Sequence, residues 1–313
     1  METKGSVGQV CRLFGKSRQA YYQLEKRRDH SQVGDEIVLM YVRGIRASQP
    51  RMGTRKLYWL LKAVMKDNGI KMGRDKFFAV LRSQGLLVKP RRSRVRTTDS
   101  NHEYRKYPNL IKEYEPCGPE QIWSSDITYV STEEGFVYVS LVTDQYSKKI
   151  MGYSIHATLE AEGPLRALSM ALKNRSHPET RLIHHSDRGI QYCSGEYIGL
   201  LERNGIQISM AAPGNPYENA VSERVNGIIK TEFYLDGYFR NIEQVCKTVK
   251  ETVFLYNNHR PHASCDYLTP EQAHQQHGKL KKRWRKYPSK IQPQTIDEET
   301  RKALEQLMVK VSY

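Results

Sequence analysis

Apolar positions near the start of the chain recur at helical spacing. Val7, Val10, Cys11 and Phe14 form one stripe, Gly15 ends it, and Ser17 is placed to cap a second helix carrying Tyr21, Tyr22 and Leu24. Further stripes follow at Ile37, Met40, Tyr41 and Ile45, at Leu57, Leu60, Leu61 and Val64, and at Phe77, Val80 and Leu81. Pro50 with Gly53, then Gly69, then Gly85 separate them. The first third therefore predicts an all-α region, and its first two helices with the Gly turn between them have a helix-turn-helix outline. A plain helical bundle with solvated Lys and Arg faces satisfies the same pattern.

The period changes after a polar, Pro-containing stretch. The run Pro90-Arg91-Arg92-Ser93-Arg94-Val95-Arg96 has no apolar period and reads as a linker able to lie along phosphates, and Pro108, Pro116 and Pro119 punctuate the polar segment after it. Residues 121–130 then alternate as a strand. Asp126 shares a face with Ser124 and Thr128, while Trp123, Ser125, Ile127 and Tyr129 take the other. Further strands are expected at 136–143, 149–156, 181–185 and 206–210, with helices at 160–174, 194–204 and 217–233, and a last helix at 298–311. Three strands in sequence, then helices alternating with strands, predict an α/β mixed sheet with helices packed on it.

Charge divides the chain in the same places. The net +16 is distributed as +15 over residues 1–100, −1 over 101–120, −3 over 121–240 and +5 over 241–313. Basic ends around a mildly acidic middle fit a polyanion-binding protein whose central part has a separate task. The basic run Lys279 to Lys286, interrupted by Leu280 and Trp284, suits phosphate contact with stacking, or simply a solvated tail. No apolar run approaches the length of a bilayer span, and the N-terminus lacks the apolar stretch of a secretory signal. Five cysteines without a Cys-x-x-Cys pair argue against a disulfide framework or a zinc ribbon and for a reduced, cytoplasmic setting.

An Asp within a strand is unfavourable by propensity and so needs a reason. Asp126 on a strand, Asp187 just past a strand's end and Glu223 on a helix can meet only through folding, being 61 and 36 residues apart. Taken singly, each is more simply a turn, cap or surface carboxylate. Taken together, three carboxylates without clustered His or Cys suit Mg²⁺ or Mn²⁺, and two such ions can drive in-line phosphoryl displacement. Lys230, seven residues after Glu223, shares its helix face, and Asn219 lies one turn before it. Asp144 reads as a turn-shaping residue or a fourth carboxylate, and His184 and His185 as packed or surface histidines, one of them able to help order the metal site. His259, His262 and Cys265, with His274 and His277, have ligand-like spacing but no completing pair for zinc.

Four motifs in order carry a resemblance: Trp123-Ser124-Ser125-Asp126-Ile127-Thr128-Tyr129; His185-Ser186-Asp187-Arg188-Gly189; Gly214-Asn215-Pro216-Tyr217-Glu218-Asn219 with Glu223; and Tyr256-Asn257-Asn258-His259-Arg260-Pro261-His262 with Leu268-Thr269-Pro270. Together they resemble the DDE transposases of bacterial insertion sequences, in particular the insertion-sequence-three family, whose core is similar to retroviral integrase. The resemblance implies an RNase H-like core at 119–278. Around it lie a helical, helix-turn-helix-like DNA-binding region at 1–95, a linker at 96–118 and a basic tail with a helix at 279–313.

It further implies that Asp126, Asp187 and Glu223 are catalytic and bind two Mg²⁺ or Mn²⁺ ions, with Lys230, Asn219, Tyr217, Arg188, Arg260 and His262 contacting DNA. The implied reaction is hydrolytic nicking at the element's ends followed by strand transfer, a polynucleotidyl transferase chemistry. The implied setting is a homo-oligomer on DNA, associated with the bacterial nucleoid, in which this chain is the second-frame product and the first-frame product is a possible partner. A catalytically dead RNase H-like regulator is the alternative, against which the complete acidic triad argues.

Overall fold

In the computed structural model, residues 6–88, 103–212 and 218–283 are described, without the side chains of 27–31. The basic run after Pro90, the loop with Tyr217, Trp284 and the expected helix at 298–311 lie outside them. The N-terminal part consists of α1 (Val7–Leu13), α2 (Arg18–Ser48), α3 (Thr54–Asp67) and α4 (Arg74–Ser83). The Ser17 hydroxyl accepts from the Ala20 N–H at 3.0 Å and starts α2 as the sequence predicts. That helix then continues unbroken for 31 residues, joining two stripes read as separate helices. The glycine between them, Gly34, stays helical against the Ile70 side chain.

Val38, Val42, Met52, Leu57, Leu61, Phe77 and Leu81 form one core among α2, α3 and α4. Helix α1 buries only Cys11 and leaves Leu13 and Phe14 exposed.

The remainder is built on β1 (Ile122–Thr132), β2 (Gly135–Asp144), β3 (Ile150–His156), α5 (Glu162–Lys173), β4 (Ile183–Ser186), α6 (Ile190–Cys193), α7 (Gly195–Arg203), β5 (Gln207–Met210), α8 (Ala220–Glu232), β6 (Tyr238–Phe239), α9 (Ile242–Asn258) and α10 (Pro270–His274). The sheet order is β3-β2-β1-β4-β5, with the short β6 also pairing β1. β1, β2 and β3 are antiparallel neighbours, while β4 runs parallel to β1 and β5 parallel to β4. This mixed sheet with helices on both faces is the RNase H-like fold.

Alternation along the strands feeds two cores. Val130, Val139 and Leu141 pack with Val225, Ile229 and Val249 under α8 and α9. Trp123, Val142 and Met151 pack with Leu168, Tyr197 and Leu201 under α5 and α7. Helix α5 lies so close to β3 that a Cβ at Gly152 would stand 2.1 Å from the Ala167 carbonyl oxygen, which only glycine permits. No helix of the described residues is long and apolar enough to cross a membrane.

Two polar features brace this fold. Asp144, fully buried, accepts from Ser147 N–H and Oγ–H at 2.7 Å and from the Glu120 N–H at 2.7 Å, the turn-shaping role expected of it. Glu120, also buried, accepts from the Ser176 and His177 N–H groups at 2.7 and 2.9 Å, and His274 Nε2 stands 3.3 Å away. His274 is therefore committed to this network, and Cys265 is buried against backbone carbonyls. Among the described residues no cluster of His, Cys, Asp or Glu forms a metal site there.

Candidate active site

The sheet's register sets the first two carboxylates side by side. The last β1–β4 pair is Ser124 with His185, so Asp126 lies two residues further along β1 and Asp187 two residues further along the chain, just past the end of β4. Parallel neighbours lie about 4.8 Å apart, with in-register side chains on the same face. Asp187 sits where β4 ends, and its Oδ1 accepts from the Gly189 N–H at 3.0 Å. The Asp126 Oδ1 accepts from the Ile127 N–H at 3.0 Å, and its Oδ2 accepts from the Asn226 side-chain amide at 2.7 Å. An open pocket beside the two carboxylates is lined also by Leu159, Gly189, Ile190, Gln191 and Tyr192.

Electrostatics mark the same place. Burial, then the charge of Asp187 and more weakly that of Glu223, push the Asp126 pKa up to about 7, against the hydrogen bonds from Asn226 and Ile127. Crowded acids resist joint ionisation, so this group of carboxylates is poised to take a counter-cation. Glu223 lies in the first turn of α8, exposed, and its charge is felt at Asp126. Among the described residues no three acidic, His or Cys side chains already stand at ligating separation.

Helix α8 and its cap bring two of the remaining candidates, Asn219 and Lys230. The amide nitrogen of Asn219, its N-cap, donates to the Ser125 carbonyl at 3.2 Å, and the buried Asn219 Oδ1 has no hydrogen-bond partner among the described residues. Lys230 ends 4.2 Å from the centre of the Tyr129 ring. Arg188 is half-buried directly after Asp187.

Two expected DNA contacts are placed elsewhere. Arg260 is 1% exposed and donates to both carboxylate oxygens of Glu232 at 2.8 and 2.9 Å, so its guanidinium is committed inside the protein. His262 is buried, hydrogen-bonded to Ser264 Oγ at 2.7 Å, and held well below the usual imidazole pKa by burial and then by Arg260. The structure corrects the reading of these two as surface contacts, because burial and internal partners leave neither side chain a path to a phosphate.

His184 and His185 pack inside as expected. The first meets Ser125 Oγ at 2.7 Å and Tyr197 Oη at 2.9 Å, and the second meets Ser209 Oγ at 2.9 Å.

Asn226 is the site residue that the sequence pattern left unmarked. Its signal was present, since it lies three residues after Glu223 and four before Lys230 on the same helix. An asparagine among charged residues simply stands out less than a carboxylate.

Comparison with known proteins places the chain. The family described as "Integrase core domain" matches residues 117–216, and a second family of the same description matches 204–270. The "Insertion element IS600 uncharacterized 31 kDa protein" of Shigella sonnei is 32% identical over 269 residues, covering 83% of this chain and 96% of that protein. "Transposase InsF for insertion sequence IS3A" of Escherichia coli strain K12 is 32% identical over 276 residues, covering 85% and 93%. A chain in the cryo-electron-microscopy structure of the simian T-cell lymphotropic virus intasome, in complex with a PP2A regulatory subunit, is 17% identical. It covers 77% of this chain and 79% of that one with a TM-score of 0.45.

Proposed function

This chain belongs to the insertion-sequence transposases with an integrase core domain, and from that membership we propose that Asp126, Asp187 and Glu223 are its catalytic carboxylates. Its reaction is DNA transposition, metal-dependent nicking at the element's ends followed by strand transfer. The observation that carries the residue assignment is the β1–β4 register, with α8 packed so that Asn226 bonds Asp126.

The donor set fits Mg²⁺ or Mn²⁺. It offers carboxylate oxygen and no sulfur, and the burial and the repulsion by Asp187 that raise Asp126 are what a divalent cation relieves. Asp126, Asp187 and Glu223 would hold two ions, Glu223 turning in from its exposed position. When bound, the metal supplies charge neutralisation for an in-line displacement at phosphorus.

The chain's own side chains do the rest. Asn226 and the Ile127 N–H fix the Asp126 rotamer, and the Gly189 N–H fixes Asp187. Lys230 and Arg188 offer positive charge to DNA phosphates, and Asn219 ties the start of α8 to β1. Tyr217 is kept as a DNA contact on the resemblance alone. Phosphodiester exchange is nearly isoenergetic, so positioning and charge stabilisation are the main demands.

We further assign residues 1–95 to DNA binding, 96–118 to a linker, 119–278 to the core and 279–313 to a basic tail. Holding two element ends together calls for more than one copy of the chain on DNA.

The test incubates the protein with element-end DNA and Mg²⁺. Nicking and joining by the wild type, abolished in Asp187→Ala, is the expected result. DNA binding without any nicking would leave the chain a regulator with a dead core.

A further inference from the structure

The ion pair that ties the N-terminal helices to the core ends on the helix that carries Glu223. Glu232 is the last residue of α8. Its carboxylate accepts from Lys56 Nζ on α3 at 2.8 and 3.1 Å, and from Arg260 Nε and an Arg260 terminal nitrogen at 2.8 and 2.9 Å. Its carbonyl accepts from the Arg51 N–H at 3.2 Å. Beside this contact the Trp59 ring stacks on Tyr267 at 5.3 Å, and the Arg51 guanidinium lies 5.9 Å from the Tyr234 ring. Every contact just named except the Arg260 pair crosses from the helical region to the core.

The groups depend on one another. Burial works against the Glu232 charge, but Arg260 and Lys56 overcome it and hold the pKa at about 2. Burial, with Arg260 adding to it, pulls Lys56 down to about 8 against the attraction of Glu232. At neutral pH all three are charged, and removing one leaves its partners buried and imperfectly paired.

The remainder of α8 is seated by Val225, Ile228 and Ile229, apolar contacts that resist lifting more than sliding or turning, and by two polar bonds nearer its start, Asn219 to Ser125 and Asn226 to Asp126. The ionic contact at Glu232 is directional and bidentate, and with those two bonds it sets the axial and rotational position of the helix from its other end. Glu223 lies nine residues earlier, about 13 Å along the axis and half a turn round. A shift of α8 therefore moves Glu223 relative to Asp126 and Asp187.

We propose that Lys56 and Glu232 are positioning residues, through which docking of the N-terminal helices sets the pose of Glu223 for metal. The inference rests on the assignment of Glu223 as a metal ligand. It makes the helical region part of the catalytic machinery as well as a DNA-binding appendage.

The experiment uses the full chain and compares Lys56→Met, Lys56→Arg and, as a control on the same helix, the exposed Ala63→Ser. Three quantities are read: Mn²⁺ affinity from the paramagnetic resonance of free ion, nicking of element-end DNA, and amide exchange across residues 220–232. Lys56→Met is expected to weaken Mn²⁺ binding at least threefold, cut nicking at least tenfold and speed exchange in α8, with DNA affinity unchanged within twofold. Lys56→Arg should recover most of each loss.

Should Lys56→Met fail to fold, Trp59→Ala loosens the same contact without stranding a charge and is expected to shift all three readouts in the same direction. Mn²⁺ affinity and nicking equal to the Ala63→Ser control would overturn the proposal, as would a loss confined to DNA affinity. Asp187→Ala is run alongside. If it stays active, the catalytic assignment itself has failed and this proposal with it.

Discussion

Asn226 donates its side-chain amide to Asp126 Oδ2 at 2.7 Å, across 100 residues of sequence and from a helix to the centre of a sheet. The bond fixes the carboxylate that crowding would otherwise turn away. Replacing Asn226 with Leu should lower nicking about 10- to 100-fold, the usual cost of losing a residue that orients a metal ligand. Asn226→Gln should fall between the two. Nicking rates at several Mn²⁺ concentrations, set against melting temperatures, check this, and an unchanged rate would show that Asp126 keeps its rotamer unaided.

Asp126 holds a costly charge. Its pKa rises from 3.8 unfolded to about 7 folded, so the stability tied to its neutral form is full below pH 3.8 and lost as pH rises through 7. Asp126→Asn should therefore stabilise the metal-free protein at pH 8 by about 1–3 kcal/mol, the carboxylate being only half-buried, while abolishing nicking. Urea denaturation without metal measures the gain. Added Mg²⁺ should narrow the gap by stabilising the wild type more.

His184 and His185 work in the opposite sense. Burial, with the charge of His185 adding for His184, lowers them from 6.5 to about 3 and about 4. Their stabilising contribution is full above pH 6.5 and is lost as pH falls towards the folded values, by at most about 1.4 kcal/mol per pH unit for each. Asp126 gains stability over part of the same range and masks the loss. Melting temperature should consequently fall more steeply between pH 6.5 and 4.5 in Asp126→Asn than in the wild type. Equal slopes would mean that the Asp126 carboxyl is not raised in the folded protein.

The charge of the first hundred residues should appear in the salt dependence of DNA binding. Lys62, Lys66, Lys71 and Arg82 are exposed on or beside α3 and α4. Their joint replacement by Gln should weaken binding and reduce the slope of log affinity against log salt by about 0.9 for each phosphate no longer neutralised. Titrations from 50 to 300 mM salt give the slope, and no change in it would mean that these side chains only solvate the bundle.

Much of this protein is written locally. Alternation over residues 121–130, the apolar blocks of β2 and β3, the Ser17 cap and the helix at 194–204 depend on neighbours in sequence, and they recur in the structure within two residues of expectation. Asp126 was legible too, as a carboxylate within a strand, which propensity disfavours. Local signals failed where a rule had two outcomes. Gly34 can end a helix or sit within one, and packing against Ile70 decided for continuity in α2.

The rest was decided by tertiary structure, because it concerns partners with no fixed spacing. Arg260 looks from its motif like a DNA contact, and only the fold shows that Glu232 claims it. Lys56 is one of many lysines in a basic third until α3 meets the end of α8, 176 residues away. The sequence by itself determined which residues could do chemistry, since that depends on side-chain type and local period. Tertiary structure decided which of them are exposed, buried or paired, since desolvation and ion pairing depend on what the rest of the chain brings within a few ångströms.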